Sequence, residues 1–241
     1  MTAIMPDNTV SNETKADSVG SMLVNIFLSP MRVFGSIKAK PTWIIPFVIL
    51  LLATAVTSYV VTPMAMEMQK QEILSSEKLS PEQRDQAVQQ METFKGMGSV
   101  IGVIGGLFGA AIMVFLMAGI ILFMGTVVFG GSAKFMELVA LVCFTGMISV
   151  LGQIIKTPLM VMKQTMDIRT SLAVLLPGSD MKSVTYTLLN SFTDVFFVWQ
   201  IILVIAGVAV IYSFSKGKAT ATVLIPVGVI AAIVGVVKAI F

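Results

Sequence analysis

Between Gly96 and Ala133 the chain carries no charged side chain, and the runs 41–66, 138–155 and 219–237 share that property. A charge at the centre of a bilayer costs about 2.5–3.5 kcal/mol on insertion scales. A helix of about 20 apolar residues rises about 30 Å, the thickness of the hydrocarbon layer. Long uncharged apolar runs therefore restrict the chain to a membrane-spanning helical bundle. Charged residues make up 12% of the whole sequence, about half the share of a soluble domain. The expected fold is all-α and polytopic, with five spans at about 42–62, 99–123, 138–155, 192–212 and 220–237. The run from Gly96 is too long for one ordinary span and too short for two with a turn, so it reads as one long or tilted helix.

The segments between the spans carry their own signals. Residues 1–20 read as a disordered polar tail, and 21–241 as the membrane domain. Ser29-Pro30 marks a helix start, with proline at the first helical position. Met31, Phe34 and Ile37 then share a face, while Arg32, Lys38 and Lys40 decorate the rest. Residues 29–40 are expected to lie on an anionic leaflet as an interfacial helix, an ordinary soluble turn of helix being the alternative. Trp43 belongs at the same interface. Ser80-Pro81-Glu82-Gln83 has the form of a capping box, opening an amphipathic helix with Ala87, Val88, Met91 and Phe94 along one stripe. Gly98, Gly102 and Gly106 recur every four residues, with Gly105 and Gly109 beside them. That spacing lets a second helix approach closely, either within the chain or in a homo-oligomer. The apolar piece Leu172 to Leu176 is too short to span and suits a surface or re-entrant turn. Lysines and arginines near short turns favour a cytoplasmic N-terminus, and five spans then put the C-terminus on the opposite side.

The chain has no histidine and one cysteine, Cys143. Imidazole metal sites, histidine triads and internal disulfides are thereby excluded. Cys143 lies inside an apolar run and reads as a packing residue. The net charge of +3 is dispersed and not interleaved with aromatics, so nucleic acid is not an expected partner. No catalytic or phosphate-binding motif is present, and neither enzyme activity, a cofactor nor a metal is expected. The candidates for chemistry are polar groups near the span ends: Gln153, Lys156, Asp194 and Gln200. Lys156 and Asp194 fall on the same membrane face and can pair. They can equally be a snorkelling lysine and a helix-capping aspartate. Two readings follow. In one the chain is a scaffold that binds membrane-protein partners or modulates bilayer shape. In the other it is a small transporter or channel with a polar path near Lys156, Asp194 and Gln200.

Two runs carry a family resemblance. Ile26-Phe27-Leu28-Ser29-Pro30, followed by Phe34, Ile37 and Pro41-Thr42-Trp43-Ile44-Ile45-Pro46, resembles the opening of bacterial members of the YIP (Ypt-interacting protein) family. Asp194-Val195-Phe196-Phe197-Val198-Trp199, with Gly207 beyond, is similar to that family's Asp-x-Phe-x-x-Trp start of the fourth span. The resemblance implies five spans, a cytoplasmic N-terminus and, for a bacterial member, the cytoplasmic membrane. Eukaryotic members bind Rab-type GTPases, but the Asp-Leu-Tyr-Gly-Pro stretch that marks them is missing, so GTPase binding is not carried over.

Overall fold

The computed structural model describes residues 17–76, 78–94, 97–176 and 183–240. Among these residues all regular structure is helical. Two short helices, α1 (Val19–Leu28) and α2 (Pro30–Ala39), lead into α3 (Ile44–Ser75). Then come α4 (Pro81–Phe94), α5 (Gly98–Leu122), α6 (Phe135–Thr145), α7 (Met147–Lys163), α8 (Val184–Phe192), α9 (Val195–Tyr212) and α10 (Lys216–Ile240). Five helical stretches are long and apolar enough to cross a membrane: Ile44–Ser75, Gly98–Val128, Phe135–Lys163, Val195–Tyr212 and Lys216–Ile240. Of the expected polar tail, residues 1–16 lie outside the described residues. Ser18 caps α1 by accepting from the Ser21 amide at 3.2 Å.

Several spans run further than the hydropathy pattern implied, the third as far as Lys163. α3 continues through Pro63 to Ser75, because the residues beyond the apolar run (Met, Ala, Glu, Gln, Lys) are strong helix formers. Its charged extension meets α4 through Lys70 and Glu92, 2.7 Å apart. The capping box at α4 forms as expected: the Ser80 amide donates to Gln83 Oε1 at 2.9 Å, and the Gln83 amide to Ser80 Oγ at 3.3 Å. α5 ends in a π-helical turn over Phe123–Val128. Gly130, at φ +68°, then reverses the chain in the left-handed region that glycine tolerates best.

The third span is the centre of the bundle. It is α6 and α7 in succession, interrupted only at Gly146, and every residue from Leu138 to Thr145 is buried. Over its most apolar stretch this span is 72% buried, against 11% for α3 and 6% for α10. α10 buries only Ala219, Thr222 and Val223 and leaves most of its length as an apolar outer wall.

α5 lies along α3, and the glycine stripe explains the closeness. A Cβ at Gly98 would collide with Met66, at Gly102 with Thr62, and at Gly106 with Ser58. Gly105 and Gly109 have no heavy atom within 4 Å of a Cβ position. The repeat therefore divides into a face used inside the chain and a face turned outward.

The segment expected to lie on the leaflet is docked on protein. α2 packs on α6 and α9, with Val33, Phe34 and Ile37 fully buried while Met31 stays exposed. The face expected to hold Met31, Phe34 and Ile37 together is thus split. Lys38 donates to the Val210 carbonyl at 3.1 Å and to Ser213 Oγ at 2.9 Å, which places a cation at the C-terminus of α9. Arg32 pairs with Asp17 at 3.1 Å, and Lys40 is exposed. Trp43 stands edge-on to Phe47 and Phe115, with ring centroids 5.7 and 6.1 Å away.

Candidate functional site

The end of the bundle opposite α2 collects the polar groups. α7 arrives there carrying Gln153 and Lys156, and α9 starts there at Asp194. Asp194 is the N-cap of α9, its Oδ1 accepting from the Phe196 and Phe197 amides at 3.1 and 3.3 Å. Aspartate suits this position because a carboxylate satisfies amides that have no helical partner and complements the positive end of the helix dipole. Its other oxygen, Oδ2, accepts from Lys156 Nζ at 2.5 Å and from the Thr170 hydroxyl. The ammonium also lies 5.5 Å from the centre of the Phe196 ring. Phe196 reaches that position because Gly152 on α7 has no side chain to oppose it.

The loop between α7 and α9 is tied to the same point. The Val195 amide donates to the Thr170 carbonyl at 3.0 Å, the Leu172 amide to Thr193 Oγ1 at 2.9 Å, and Ser171 Oγ to Asn190 Oδ1 at 2.9 Å. The apolar piece in this loop is a short helical turn, Leu172–Leu175; Pro177 and Gly178, beyond it, lie outside the described residues. Asp167 pairs with Arg169 at 2.7 Å and accepts from the Tyr186 hydroxyl, while Arg169 stacks over the Tyr186 ring, 5.4 Å from its centre. Burial pushes the Asp167 carboxyl up, but the Tyr186 hydroxyl and the Arg169 guanidinium together outweigh it and hold the group below the usual carboxylate range. Burial, and then the Asp167 carboxylate, raise the Tyr186 phenol.

The two glutamines are engaged separately from the ion pair. Thr57 on α3 donates to Gln153 Oε1 at 3.1 Å, and Ser149 on α7 donates to Gln200 Oε1 at 2.6 Å. The four candidate residues nevertheless border two neighbouring hollows. One of about 200 Å³ is lined by Gln153, Lys156 and Asp194. A larger chamber of about 420 Å³ between α3, α5, α7, α9 and α10 is lined by Gln153, Gln200 and a mainly apolar wall. Ser149, Gln153 and Phe197 border both.

Sequence reasoning brought Lys156 and Asp194 together and missed their neighbours. Thr57 and Ser149 had a signal, being hydroxyls well inside apolar runs. Thr170 had none, because only the folded loop carries it to Asp194. No group of three or more acidic, histidine or cysteine side chains able to hold a metal occurs among the described residues.

The two runs that carried the resemblance also meet in space. Phe27 of the first stands edge-on to Trp199 of the second, centroids 6.1 Å apart. A family model for the Yip1 domain matches residues 24–237, which include both runs. The chain belongs to the Yip1 family. No curated protein and no solved structure matches it. As a Yip1-family chain with five apolar helices of spanning length, it is an integral, multi-pass membrane protein that sits in a lipid bilayer.

Proposed function

We propose that this Yip1-family chain is a non-enzymatic membrane scaffold, which binds partner membrane proteins or other copies of itself, or shapes the bilayer around it. The observation that carries the reading is the ion pair at α9. Lys156 and Asp194 neutralise each other at 2.5 Å, and the same carboxylate caps the helix and anchors Thr170. Charges committed in this way fix α7, α9 and their loop in one arrangement, and a permeating ion would have to break that arrangement to use them. Broad apolar outer faces on α3, α5 and α10 leave most of the surface for lipid or for neighbouring helices. A bacterial cytoplasmic membrane and an inward N-terminus belong to the same proposal.

Reconstituted vesicles separate this reading from a transporter or channel. Proteoliposomes loaded with a pH dye and with radiolabelled amino acids and sugars should match empty liposomes in flux. Flux that disappears in Asp194→Asn or Lys156→Met, with the protein still folded, overturns the scaffold reading in favour of a polar path. Sidedness is tested in a Cys143→Ser background. An impermeant thiol reagent applied to intact cells should label a cysteine at Ser76 and not at Ser132 or Ser215.

A further inference from the structure

The chamber beneath the ion pair has features the scaffold reading does not use. Its volume of about 420 Å³ lies within the range of about 300–1,000 Å³ typical of ligand sites. Most of its wall is apolar, including Met117, Val204, Val227 and Ile230, and its polar residues include Gln153, Gln200 and Ser149. Each glutamine accepts one hydroxyl through Oε1. Among the described residues, no acceptor meets either Nε2, so two amide donors are left available beside an apolar space.

The chamber also borders the lipid-facing side of the bundle. Ile120, Pro226 and Ile230 line it and at the same time line an open apolar groove of about 550 Å³ between α5 and α10. α10 is fastened near both ends: Lys218 donates to the Phe129 carbonyl at 3.3 Å, and Gly235 lies against Leu188. Between those points sits Pro226, which has no amide hydrogen and leaves Thr222 without its helical donor. α10 stays helical through this point, as spanning helices do where neighbouring groups cover the freed carbonyl.

Apolar volume, a thin wall of side chains shared with an apolar outer groove, and unfilled amide donors near one end together point to an amphiphile that arrives from the bilayer. The depth narrows its class. Gln153 lies about 4.5 Å along α7 from Lys156, and Gln200 about 9 Å along α9 from Asp194, at 1.5 Å per residue. Donors just beneath the charged layer suit the ester carbonyls of a glycerolipid, which lie between headgroup and chains. We infer that the chamber takes one acyl chain of a bilayer glycerophospholipid, entering between α5 and α10, with its ester carbonyl accepting from the Gln153 and Gln200 amides.

The test uses the full chain in nanodiscs of phosphatidylethanolamine and phosphatidylglycerol, doped with phosphatidylethanolamine bearing a diazirine midway along one acyl chain. After irradiation, adducts are mapped by peptide mass spectrometry. Adducts are expected on Met117, Val204 and Val227 above those on the outward-facing Phe108 and Ile104. Ala110→Phe and Val227→Trp, which fill the chamber from α5 and α10, should each reduce chamber adducts to the outward-facing level and leave Phe108 unchanged. Removing both donors in Gln153→Leu/Gln200→Leu deletes two hydrogen bonds to the ester and should lower chamber labelling by about tenfold. Wild-type chamber adducts no denser than those on Phe108 overturn the inference without any variant. So does labelling that ignores both filling substitutions, or a diazirine-bearing palmitic acid that displaces the phospholipid from the chamber.

Discussion

Helix α9 meets a charged side chain at each end, and the two junctions are built differently. At its C-terminus Lys38 reaches in from α2 to the last carbonyls, over a solid floor of Val33, Phe34 and Ile37 with no exposure. At its N-terminus Asp194 caps the first amides and is held by Lys156 and Thr170, beside two neighbouring hollows. Both arrangements complement the helix dipole. Lys38 adds a favourable contact to a helix that packing already fixes. Asp194 joins α7, α9 and the intervening loop through one carboxylate.

The largest test of that contrast is Asp194→Ala. It removes the cap and leaves the Lys156 ammonium uncompensated, with the lysine side chain 23% exposed. A loss of about 3 kcal/mol is expected, the low end of the range for an orphaned buried charge. Unfolding in mixed detergent micelles reads it, and Lys38→Met should cost about 1 kcal/mol or less in the same assay. Equal losses from the two substitutions would remove the distinction between the ends. Next in size is the contrast between the two faces of α5. Gly102→Ala drives a methyl into Thr62, whose hydroxyl is held by the Ser58 carbonyl at 2.6 Å, and overpacking of this kind costs about 1–3 kcal/mol. Gly98→Ala should cost less, since it meets the flexible end of Met66. Gly105→Ala meets nothing and should be neutral or stabilising by less than about 1 kcal/mol; a marked loss there, growing weaker on dilution, would reveal an intermolecular use of the outward face.

The smallest effect is a pH dependence at the loop. Because the folded Asp167 carboxyl titrates below its ordinary value, the stability it contributes is present above the unfolded pKa, about 3.9. It is lost as pH falls through the lower folded value. Unfolding followed from pH 6 down to pH 2 should show a steeper loss in the native protein than in Asp167→Asn. Parallel curves would mean that the Tyr186 and Arg169 contacts do not favour the carboxylate in solution.

Much of this architecture was legible in the chain. Uncharged runs located five helices of spanning length, because lipid tolerates few charges and no unpaired backbone. Ser80 and Gln83 announced a helix start, and the possible pairing of Lys156 with Asp194 followed from their placement on one membrane face. The role of each span was not legible. Leucine, valine and phenylalanine are equally at home against lipid and against other helices. The sequence of α6 therefore carried no mark that it would be the buried centre, nor that of α10 that it would be an outer wall. The same ambiguity hid the docking of α2, whose Phe34 and Ile37 suit a leaflet as well as they suit α9.

By itself, the sequence determined that this chain is a helical membrane protein, where its apolar helices lie, and which few charges sit near their ends. Those properties depend on residue type and local spacing. Tertiary structure alone decided which glycines face a partner helix, which threonines reach Gln153 and Asp194, and that two glutamines border an apolar chamber. Each of these depends on the rotation and depth of one helix against another, and hydropathy is nearly blind to both when every face is apolar.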